Sequence, residues 1–559
     1  MTNIEKQGAI RLIKSIAVFF VPLIICFFYL LIRGSFNLYL PDSYNNDCLF
    51  YYKLVEGIVR GGSLKGYFGF NESSALVGGF AAWNPAVVLP WLLFGFIFRW
   101  GYSSVFFCNI FFFSAALAAF TYLTDIPVKK LIPAGVLLLL FPSLPIHLLN
   151  ALPEAVITSF AILYFGFAVA CCREGSGERV SDGGVPTRGN ARFAQGYIIG
   201  MLLCSMYLTV CRPYMILFFI LPMFFLLKQF KTGKSKVAVA EAGAKAESKA
   251  EIKTRKTAIL WFIVCCAAIV ISLLVYILTN HFFTAAYFEP LFNTDIIKMF
   301  LHGKFAEGFW TAVSVTKKML GGIGDYIADA FSFGFTAGTH YVITIVCTVL
   351  LLIQLFGKKN KELKPVYFLY VLTSVLLFPA IVLFLQKVNE GGRHVWFLAV
   401  IGIILVSLTE WDAKGIASKG IIAVLLIFFI VRGGLYPTDY DVPFRQQGTE
   451  EKIAFWKDTF EKENVKPEGK ISFDNTIIWV YFDYDDDGKM VVTDYNSLYA
   501  VPAGMGISCC EADYVLSNID SLKSRFLATA EGGKVDEALK ERGLSPLESK
   551  DGLMIYRLR

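Results

Sequence analysis

Charged residues are scarce in this chain of 559 amino acids. They make up 17% of the residues, against 56% hydrophobic ones, and the mean hydropathy is +0.57. So few charges cannot cover the surface of a soluble protein of this length, which indicates a membrane protein. The net charge of +7 does not indicate nucleic-acid binding, because Lys and Arg concentrate in loops that flank the apolar runs.

The chain also lacks cysteines at metal-ligand spacing and a signal-peptide cleavage site. The twelve cysteines include three adjacent pairs, at 171–172, 265–266 and 509–510, and none of these pairs has the spacing of metal ligands. We therefore predict no metal site and no disulfide. We also expect no cofactor, and the sequence gives no support for a divalent cation, which stays open. No small-residue cleavage site follows the basic and apolar start of the chain. We therefore expect the first apolar run, residues 15–32, to remain as a membrane span.

About eleven apolar runs approach the roughly 20 residues that a membrane span needs. Lys6, Arg11 and Lys14 place the N-terminus in the cytoplasm by the positive-inside rule. When the chain then alternates between the two faces, its other basic loops fall on the cytoplasmic side, at 129–130, 172–193, 228–256 and 357–361. The pattern predicts a multi-pass protein of the plasma membrane with its C-terminus outside.

One apolar run is an exception. Residues 83–98 hold roughly 15 apolar residues, which is short for a span. If they crossed, Lys129 and every later basic loop would be inverted. We therefore predict an interfacial helix within a first outer loop, 34–103, and place a second outer loop at 280–335. The Lys-rich tract 228–256 is expected to be a solvated, disordered cytoplasmic loop.

After about Arg432 the composition becomes that of a soluble domain. The fold class is thus mainly α: a polytopic transmembrane helical bundle over residues 1–432, followed by an extracytoplasmic α/β domain over residues 433–559. The domain's predicted strands are 470–473, 477–482, 490–492, 512–516 and 554–558, and its predicted helices are 448–464, 519–529 and 534–542.

The acids of the stretch 483–494 have the spacing of an EF-hand calcium loop, with Asp in the final position. Strand-like residues flank this stretch on both sides. We therefore favour a β-hairpin turn at Asp487 and Gly488 over a calcium site.

Acidic residues follow or open the predicted spans at the outer face. Asp42 and Asp47 follow the first span. Asp47 opens a predicted amphipathic helix at the membrane interface, and Tyr51 and Tyr52 are its interfacial aromatics. Glu154 opens the fourth span after an outer turn, 142–153, that holds His147. An ionisable residue at the mouth of a span is a functional candidate. Two plainer explanations stay open: Asp47 as a solvated acid or a helix N-cap, and Glu154 as an acid favoured by the helix dipole.

Cations also occur at the outer face, where positive charge is depleted near spans. Arg212 precedes Pro213 at the turn between spans five and six, and Arg393 and His394 precede span ten. Arg binds phosphate through two parallel hydrogen bonds, which makes these residues candidates for a phosphate site. The alternative is an Arg that snorkels to the interface.

Taken together, these residues resemble the GT-C superfamily of polytopic glycosyltransferases, in the layout of protein O-mannosyltransferases and lipid A aminoarabinose transferases. Asp47 with Tyr51 and Gly57 resembles the first-loop acidic motif of that family, and Asn84 lies in its proline-containing interfacial helix. The turn into Glu154 resembles a second acidic loop of the family. Arg393 and His394 resemble its late Arg-Tyr/His element.

Two positions depart from the family pattern. Cys48 stands where many members have a second acid, and Asn84 stands where a His or an acid precedes the proline. Both departures argue against a metal-binding or two-acid variant of the family site.

The resemblance implies an enzyme that transfers a sugar from a polyprenyl-phosphate donor to a glycan, lipid or protein acceptor, with inversion and without a nucleotide. Catalysis would fall to Asp47, as general base, and to Glu154. Substrate binding would fall to Asp42, Tyr51, Asn84, His147, Arg212, Arg393 and His394. Two alternatives remain: a transporter or flippase of lipid-linked sugars, and a non-catalytic membrane protein with an outer binding domain.

Overall fold

The computed structural model describes residues 3–33, 46–61, 68–70, 85–101, 103–141, 143–175, 190–235, 244–283, 293–331, 337–386, 388–410, 449–465, 475–492, 501 and 505–559. Several predicted features lie outside these ranges: Asp42, Asn84, the eleventh span at 420–432 and the strand at 470–473. Asp47 lies on a described helix, but its side chain is outside the description.

The described chain is mainly helical, since a helix satisfies every backbone hydrogen bond within its own segment where no water is present. The helices are α1 (Asn3–Phe19), α2 (Val21–Arg33), α3 (Asn46–Gly61), α4 (Leu89–Phe98), α5 (Ser104–Thr124), α6 (Val128–Leu139), α7 (Ser143–Leu149), α8 (Glu154–Gly175), α9 (Asn190–Cys211), α10 (Ile220–Ser235), α11 (Ala244–Phe283), α12 (Asp295–Leu301), α13 (Phe305–Phe331), α14 (Ala337–Phe356), α15 (Lys364–Ala380), α16 (Val388–Leu408), α17 (Thr449–Lys462), α18 (Ala512–Asn518) and α19 (Lys534–Glu541).

Seven helical segments of the described chain are long and apolar enough to cross a membrane. They are Lys6–Ile32, Ser104–Thr124, Glu154–Glu174, Ile259–Phe282, Gly338–Phe356, Lys361–Leu385 and Gly391–Leu408. The protein is therefore a multi-pass membrane protein. The count of eleven stays a prediction, because spans five and six fall on shorter apolar helices, span three falls on a bent helix pair and span eleven is not described.

That bent pair changes the description of the predicted outer turn. Helices α6 and α7 are inclined by 76°, and together they make an eighth segment that could cross. All residues of α7 are buried, so His147 lies on a packed helix and not in an open turn. Pro142 before this helix and Pro145 in its first turn suit the break, since proline is tolerated at a helix start but not in its interior.

Both described ends of the Lys-rich tract 228–256 are helical, and residues 228–235 belong to α10. From Ala244 onward the tract forms one continuous helix with span seven, α11, which is 40 residues long. Ala, Glu and Lys are strong helix formers, and the membrane-spanning part supplies a ready nucleus. The expectation of disorder was therefore wrong for both described ends, residues 228–235 of α10 and 244–256 of α11.

The C-terminal region has α/β structure around one seven-stranded sheet. Its strands are β1 (Phe68–Phe70), β2 (Asn475–Tyr484), β3 (Met490–Val492), β4 (Gly506–Glu511), β5 (Phe526–Ala530), β6 (Glu548–Lys550) and β7 (Leu553–Arg557). The order is β1-β4-β2-β5-β7-β6, and β3 pairs with β2 outside this path. Strands β1, β4, β2 and β5 run parallel, whereas β5–β7, β7–β6 and β2–β3 pair antiparallel.

Two predictions for this region were wrong. The stretch 512–516, predicted as a strand, begins α18, and its buried residues Ala512 and Val515 have the three-residue spacing of a helix face. The stretch 519–529, predicted as a helix, runs into β5, whose five residues are all buried. A continuous apolar run of this length suits a strand covered on both faces.

The acidic stretch 483–494 forms the predicted hairpin in its described part. Strand β2 turns into β3, and the turn is closed by Gly488 N to Asp485 O at 2.9 Å and Asp485 N to Lys489 O at 2.9 Å. Gly488 has a φ of 76°, a left-handed conformation that glycine adopts without strain.

The sheet takes one strand from the first outer loop. Strand β1 pairs with β4 in parallel, with Phe68 opposite Ile507. Nearby, buried Lys53 on α3 donates to the Val501 carbonyl at 2.6 Å and pairs with Glu56 at 2.8 Å. The first outer loop and the C-terminal region therefore lie on the same face of the bundle.

Helix α3 is buried over its described side chains, 51–58, and does not lie with one side in the membrane interface. The rings of Tyr51 and Tyr52, predicted as interfacial aromatics, pack on Trp91 and Trp100 at 6.1 Å and 5.6 Å. The prediction of an amphipathic helix at the membrane interface was wrong, because α4 and the residues after it cover the side of α3 that carries these two tyrosines.

Candidate functional site

Glu154 begins helix α8 directly after Pro153, at the end of the helix that the sequence assigns to the outer face. A carboxylate in the first turn of a helix is stabilised by the helix dipole. The side chain is only 7% exposed, and its Oε1 accepts a hydrogen bond from Arg212 Nη2 at 2.6 Å. This acid is thus held in a buried ion pair and not in solvent.

Arg212 is placed by a break between two apolar helices. Its amide closes α9 on Leu208 O at 2.8 Å, and Pro213 then starts a 3-10 helix, Pro213–Phe219. A residue before proline is driven out of the helical conformation, and Arg212 is extended, with φ −146° and ψ 108°. The predicted pivot at this position is therefore present, and it aims the guanidinium at Glu154.

His394 and Tyr214 complete the cluster. Nη1 of Arg212 lies 2.9 Å from Nδ1 of His394 and donates to the hydroxyl of Tyr214 at 3.1 Å, and this hydroxyl is 2.9 Å from the same Nδ1. A guanidinium only donates, so Nδ1 must accept and the neutral imidazole carries its hydrogen on Nε2. We call Glu154, Arg212, Tyr214 and His394 the buried cluster.

The buried cluster combines residues from three separated parts of the chain. Glu154 starts α8, Arg212 follows α9, and His394 lies in the first turns of α16. Each position is close to the end of an apolar segment, where a charge costs less than at the bilayer centre. Arg393, beside His394, is also buried, with 9% of its surface exposed.

One carboxylate oxygen of Glu154 has no hydrogen-bond donor among the described residues. Oε2 of Glu154 is buried and accepts no hydrogen bond from any described residue. A buried carboxylate oxygen without a donor is costly, and it has room in its hydrogen-bonding capacity for one more donor. A substrate hydroxyl or amine is the kind of group that would fit.

Two more histidines lie close together beside the buried cluster. The His147 ring lies 4.4 Å from that of Trp396 and 5.7 Å from that of His340. Trp396 donates to Ser143 Oγ at 3.2 Å, and Nδ1 of His340 lies 3.0 Å from Gly392 O. Three of the five histidines in the chain thus gather near the start of α16.

His340 and Tyr214 were missed from the sequence. Tyr214 follows Arg212 by two residues, and His340 lies near the start of a predicted span. The rule that polar and ionisable groups at membrane depth mark functional sites would have found His340. Nothing local could have found Tyr214, because its role follows from the fold that brings α16 to it.

Tyr51 of the predicted first outer loop is connected to the buried cluster through a chain of packing contacts and hydrogen bonds. Tyr51 packs on Trp91, which donates to Asn109 Oδ1 at 2.8 Å. Nδ2 of Asn109 in turn donates to the carbonyl of Asn150 at 2.9 Å, in the turn that leads to Glu154. Tyr51 therefore supports the turn through packing. Asp42, Asn84 and the Asp47 carboxylate fall outside the described atoms, so their predicted roles stay predictions.

Within the described ranges, no three side chains of His, Cys, Asp or Glu come close enough to hold a metal ion.

A glycine sets the distance between α16 and its neighbours. A Cβ at Gly391 would overlap the hydroxyl of Tyr341 and the side chain of Ile381. This close approach positions the start of α16, and with it Arg393 and His394, against α14.

Neither a protein-family model nor a curated protein matches the chain. Among solved structures, it resembles ArnT from Cupriavidus metallidurans bound to undecaprenyl phosphate, with 8% identity, a TM-score of 0.37, and 99% of this chain and 98% of that chain covered. The apo structure of the same protein gives 9% identity, a TM-score of 0.40, and coverage of 100% and 99%. A likeness this distant carries no argument on fold or function.

Proposed function

We propose that this protein is a membrane glycosyltransferase that moves a sugar from a polyprenyl-phosphate donor to an acceptor at the outer face of the membrane. The observation that carries the proposal is the buried cluster. It holds an arginine between a carboxylate and a histidine, close to the ends of apolar segments. A lipid-linked phosphate resides at that depth.

The guanidinium of Arg212 has a fixed orientation. Nη2 is held by Glu154, and Nη1 is held by Tyr214 and His394. A donor that is already oriented stabilises developing negative charge without reorganisation in the transition state. Arg393 adds a second buried cation next to His394. In this proposal the two arginines bind the phosphate that leaves with the lipid.

The proposed transfer is a single displacement at the anomeric carbon of the sugar. The oxygen of the acceptor hydroxyl forms a bond to the anomeric carbon of the sugar, and its proton passes to the carboxylate of Asp47 as general base. The bond from the anomeric carbon to the phosphate oxygen breaks, and its electron pair stays on the phosphate. The configuration at the anomeric carbon is inverted.

Glu154 has a different role in this mechanism from Asp47. Because Oε1 is engaged by Arg212, Glu154 acts as a positioning residue for the phosphate-binding guanidinium. Its second oxygen, Oε2, is available to accept a hydrogen bond from the bound donor sugar or acceptor.

The test is transfer of labelled sugar by the purified protein from a panel of polyprenyl-phosphate sugars. Asp47→Asn removes the base but keeps the side-chain shape, and we expect a loss of about 10²-fold or more. Asp295→Asn is the matched control, since Asp295 is an exposed acid at the start of α12. Equal activity of the wild type and the Asp47 variant would reject Asp47 as the base.

The transporter alternative predicts a different result. Transporters place their charged substrate sites near the bilayer midplane, whereas the buried cluster lies near segment ends. Movement of an intact lipid-linked sugar across vesicles that contain the wild type, with no transfer from any donor in the panel, would overturn the enzyme proposal.

A further inference from the structure

A cavity lies at the opposite end of the bundle from Glu154, where the sequence predicts the cytoplasmic face. Its volume is about 620 Å³. It is lined by Arg11, Thr124, Asp125, Lys130, Arg173, Lys358, Lys359, Asn360, Lys361, Glu362 and Glu410. We call it the basic cavity.

Helix α8 separates the basic cavity from the buried cluster. Glu154 begins this helix and Arg173 lies near its other end, nineteen residues further along. At 1.5 Å per residue the two positions are about 28 Å apart, close to the thickness of a bilayer's hydrocarbon core. The basic cavity is therefore a second site at the other membrane face, and the proposed transfer reaction does not use it.

The basic cavity is assembled from distant basic segments. The N-terminal helix, the start of α6, the end of α8 and the loop 357–361 were each assigned to the cytoplasm because they are basic. The fold brings one or more cations from each of them to a single cavity. Topology explains why each segment is basic, but it does not require them to meet.

The walls of this cavity are held in place. Asn360 donates to Glu410 O at 2.8 Å and accepts from Glu410 N at 3.0 Å, which fixes the loop 357–363 to the end of α16. Lys130 donates to Leu408 O at 2.7 Å, and Arg173 donates to Thr124 O. Asn360 has a left-handed φ of 53°, which lets the loop turn sharply between its lysines.

The cavity has more positive than negative charge. Its lining holds six cations and three carboxylates, which leaves three net positive charges. Asp125 is paired with Arg11 at 2.7 Å, and Glu410 with Lys130 at 3.3 Å. Burial, which raises the pKa of Asp125, is outweighed by a hydrogen bond from Lys14 and by the charge of Arg11, so its pKa is lowered and the pair stays ionised.

Two of the cations are available for a ligand. The exposed ammonium groups of Lys358 and Lys361 make no hydrogen bond or ion pair with any described residue, although both line the cavity. Lysines act as point charges for phosphate groups, and basic pockets between membrane helices at the cytoplasmic side suit anionic headgroups.

We propose that the basic cavity binds a phosphate-bearing anion at the cytoplasmic face, with Lys358 and Lys361 as its ligands. Arg173 and Lys359 provide additional positive charge. The same chemistry is offered by the headgroup of an anionic phospholipid and by a small soluble phosphate ester. A site of this kind would make the protein sensitive to the lipid composition of the inner leaflet.

The experiment measures binding of short-chain phosphatidylglycerol and of glycerol 3-phosphate to the full-length protein in neutral detergent. Lys358→Gln/Lys361→Gln is compared with Lys298→Gln/Lys304→Gln, which removes the same charge from exposed lysines of the second outer loop. We expect the first variant to bind about 30-fold more weakly, from ~1 kcal/mol for each lysine. The control should bind like the wild type.

The outcomes separate the two sources of the anion. Binding of phosphatidylglycerol alone identifies a lipid-headgroup site, and binding of both probes identifies a phosphate site open to soluble esters. Equal affinities of the two double variants would overturn the proposal, as would binding of neither probe by the wild type. Tryptophan fluorescence and thermal unfolding of each variant check that it is folded.

Discussion

Glu154→Gln removes the charge of the buried carboxylate and keeps the shape of its side chain. In the wild type the 2.6 Å pair with Arg212 is almost fully buried, with 3% and 7% of the two side chains exposed. Removing one partner leaves the other charge uncompensated in a medium that solvates it poorly. We expect unfolding to become easier by about 3 kcal/mol. Glu307→Gln on α13 makes the same chemical change in an exposed pair with Lys304 and should cost under ~0.5 kcal/mol.

The decisive measurement is a double-mutant cycle. Glu154→Gln and Arg212→Gln are made singly and together, and unfolding in mixed SDS micelles is followed by tryptophan fluorescence. If the two residues form one unit, the double variant should be no less stable than the worse single variant, with a coupling energy of about 3 kcal/mol, the size of the smaller single effect. The transfer rate should show the same non-additivity, because Glu154 acts through Arg212. Additive effects on both quantities would refute the paired arrangement.

Two further predictions concern packing and pH. Gly391→Ala should destabilise the protein by about 1–3 kcal/mol, because the new methyl group overlaps Tyr341. Gly135→Ala is the control and should not destabilise it, because the new methyl group meets open space. The free energy of unfolding is measured for both variants. Burial raises the pKa of Asp536, but a hydrogen bond from Lys540 and other donors outweighs it, so the folded pKa lies below the ordinary 3.8. The stability that ionised Asp536 adds to the folded state is present above pH 3.8 and is lost as the pH falls through the folded pKa. The free energies of unfolding of the wild type and Asp536→Asn should therefore converge in acid. A difference that stays constant with pH would contradict this prediction.

Much of the architecture could be predicted because its causes are local. Apolar runs of membrane length and the basic residues between them follow one-dimensional rules, and they identified the apolar segments from Lys6 to Leu408. The break at Arg212 follows from the proline after it. The hairpin at Gly488 follows from its turn residues.

Local signals failed where an apolar run fits more than one element. The stretches 512–516 and 519–529 were assigned the wrong secondary structure, because five to eleven residues contain too few periods to separate a helix from a strand. The predicted interfacial helix α3 failed for a different reason. The apolar side of α3 was predicted correctly, but this helix packs against α4 and the C-terminal region and not against lipid.

The amino-acid sequence alone determined that this is a multi-pass membrane protein with candidate acids and arginines at segment ends, since hydropathy and charge act along the chain. Only the tertiary structure decided which of them meet. It paired Arg212 with both Glu154 and His394, and it placed β1 in the C-terminal sheet. It also joined four basic segments in one cavity. Contacts between residues 58 to 439 positions apart depend on how helices and strands pack, which no local pattern records.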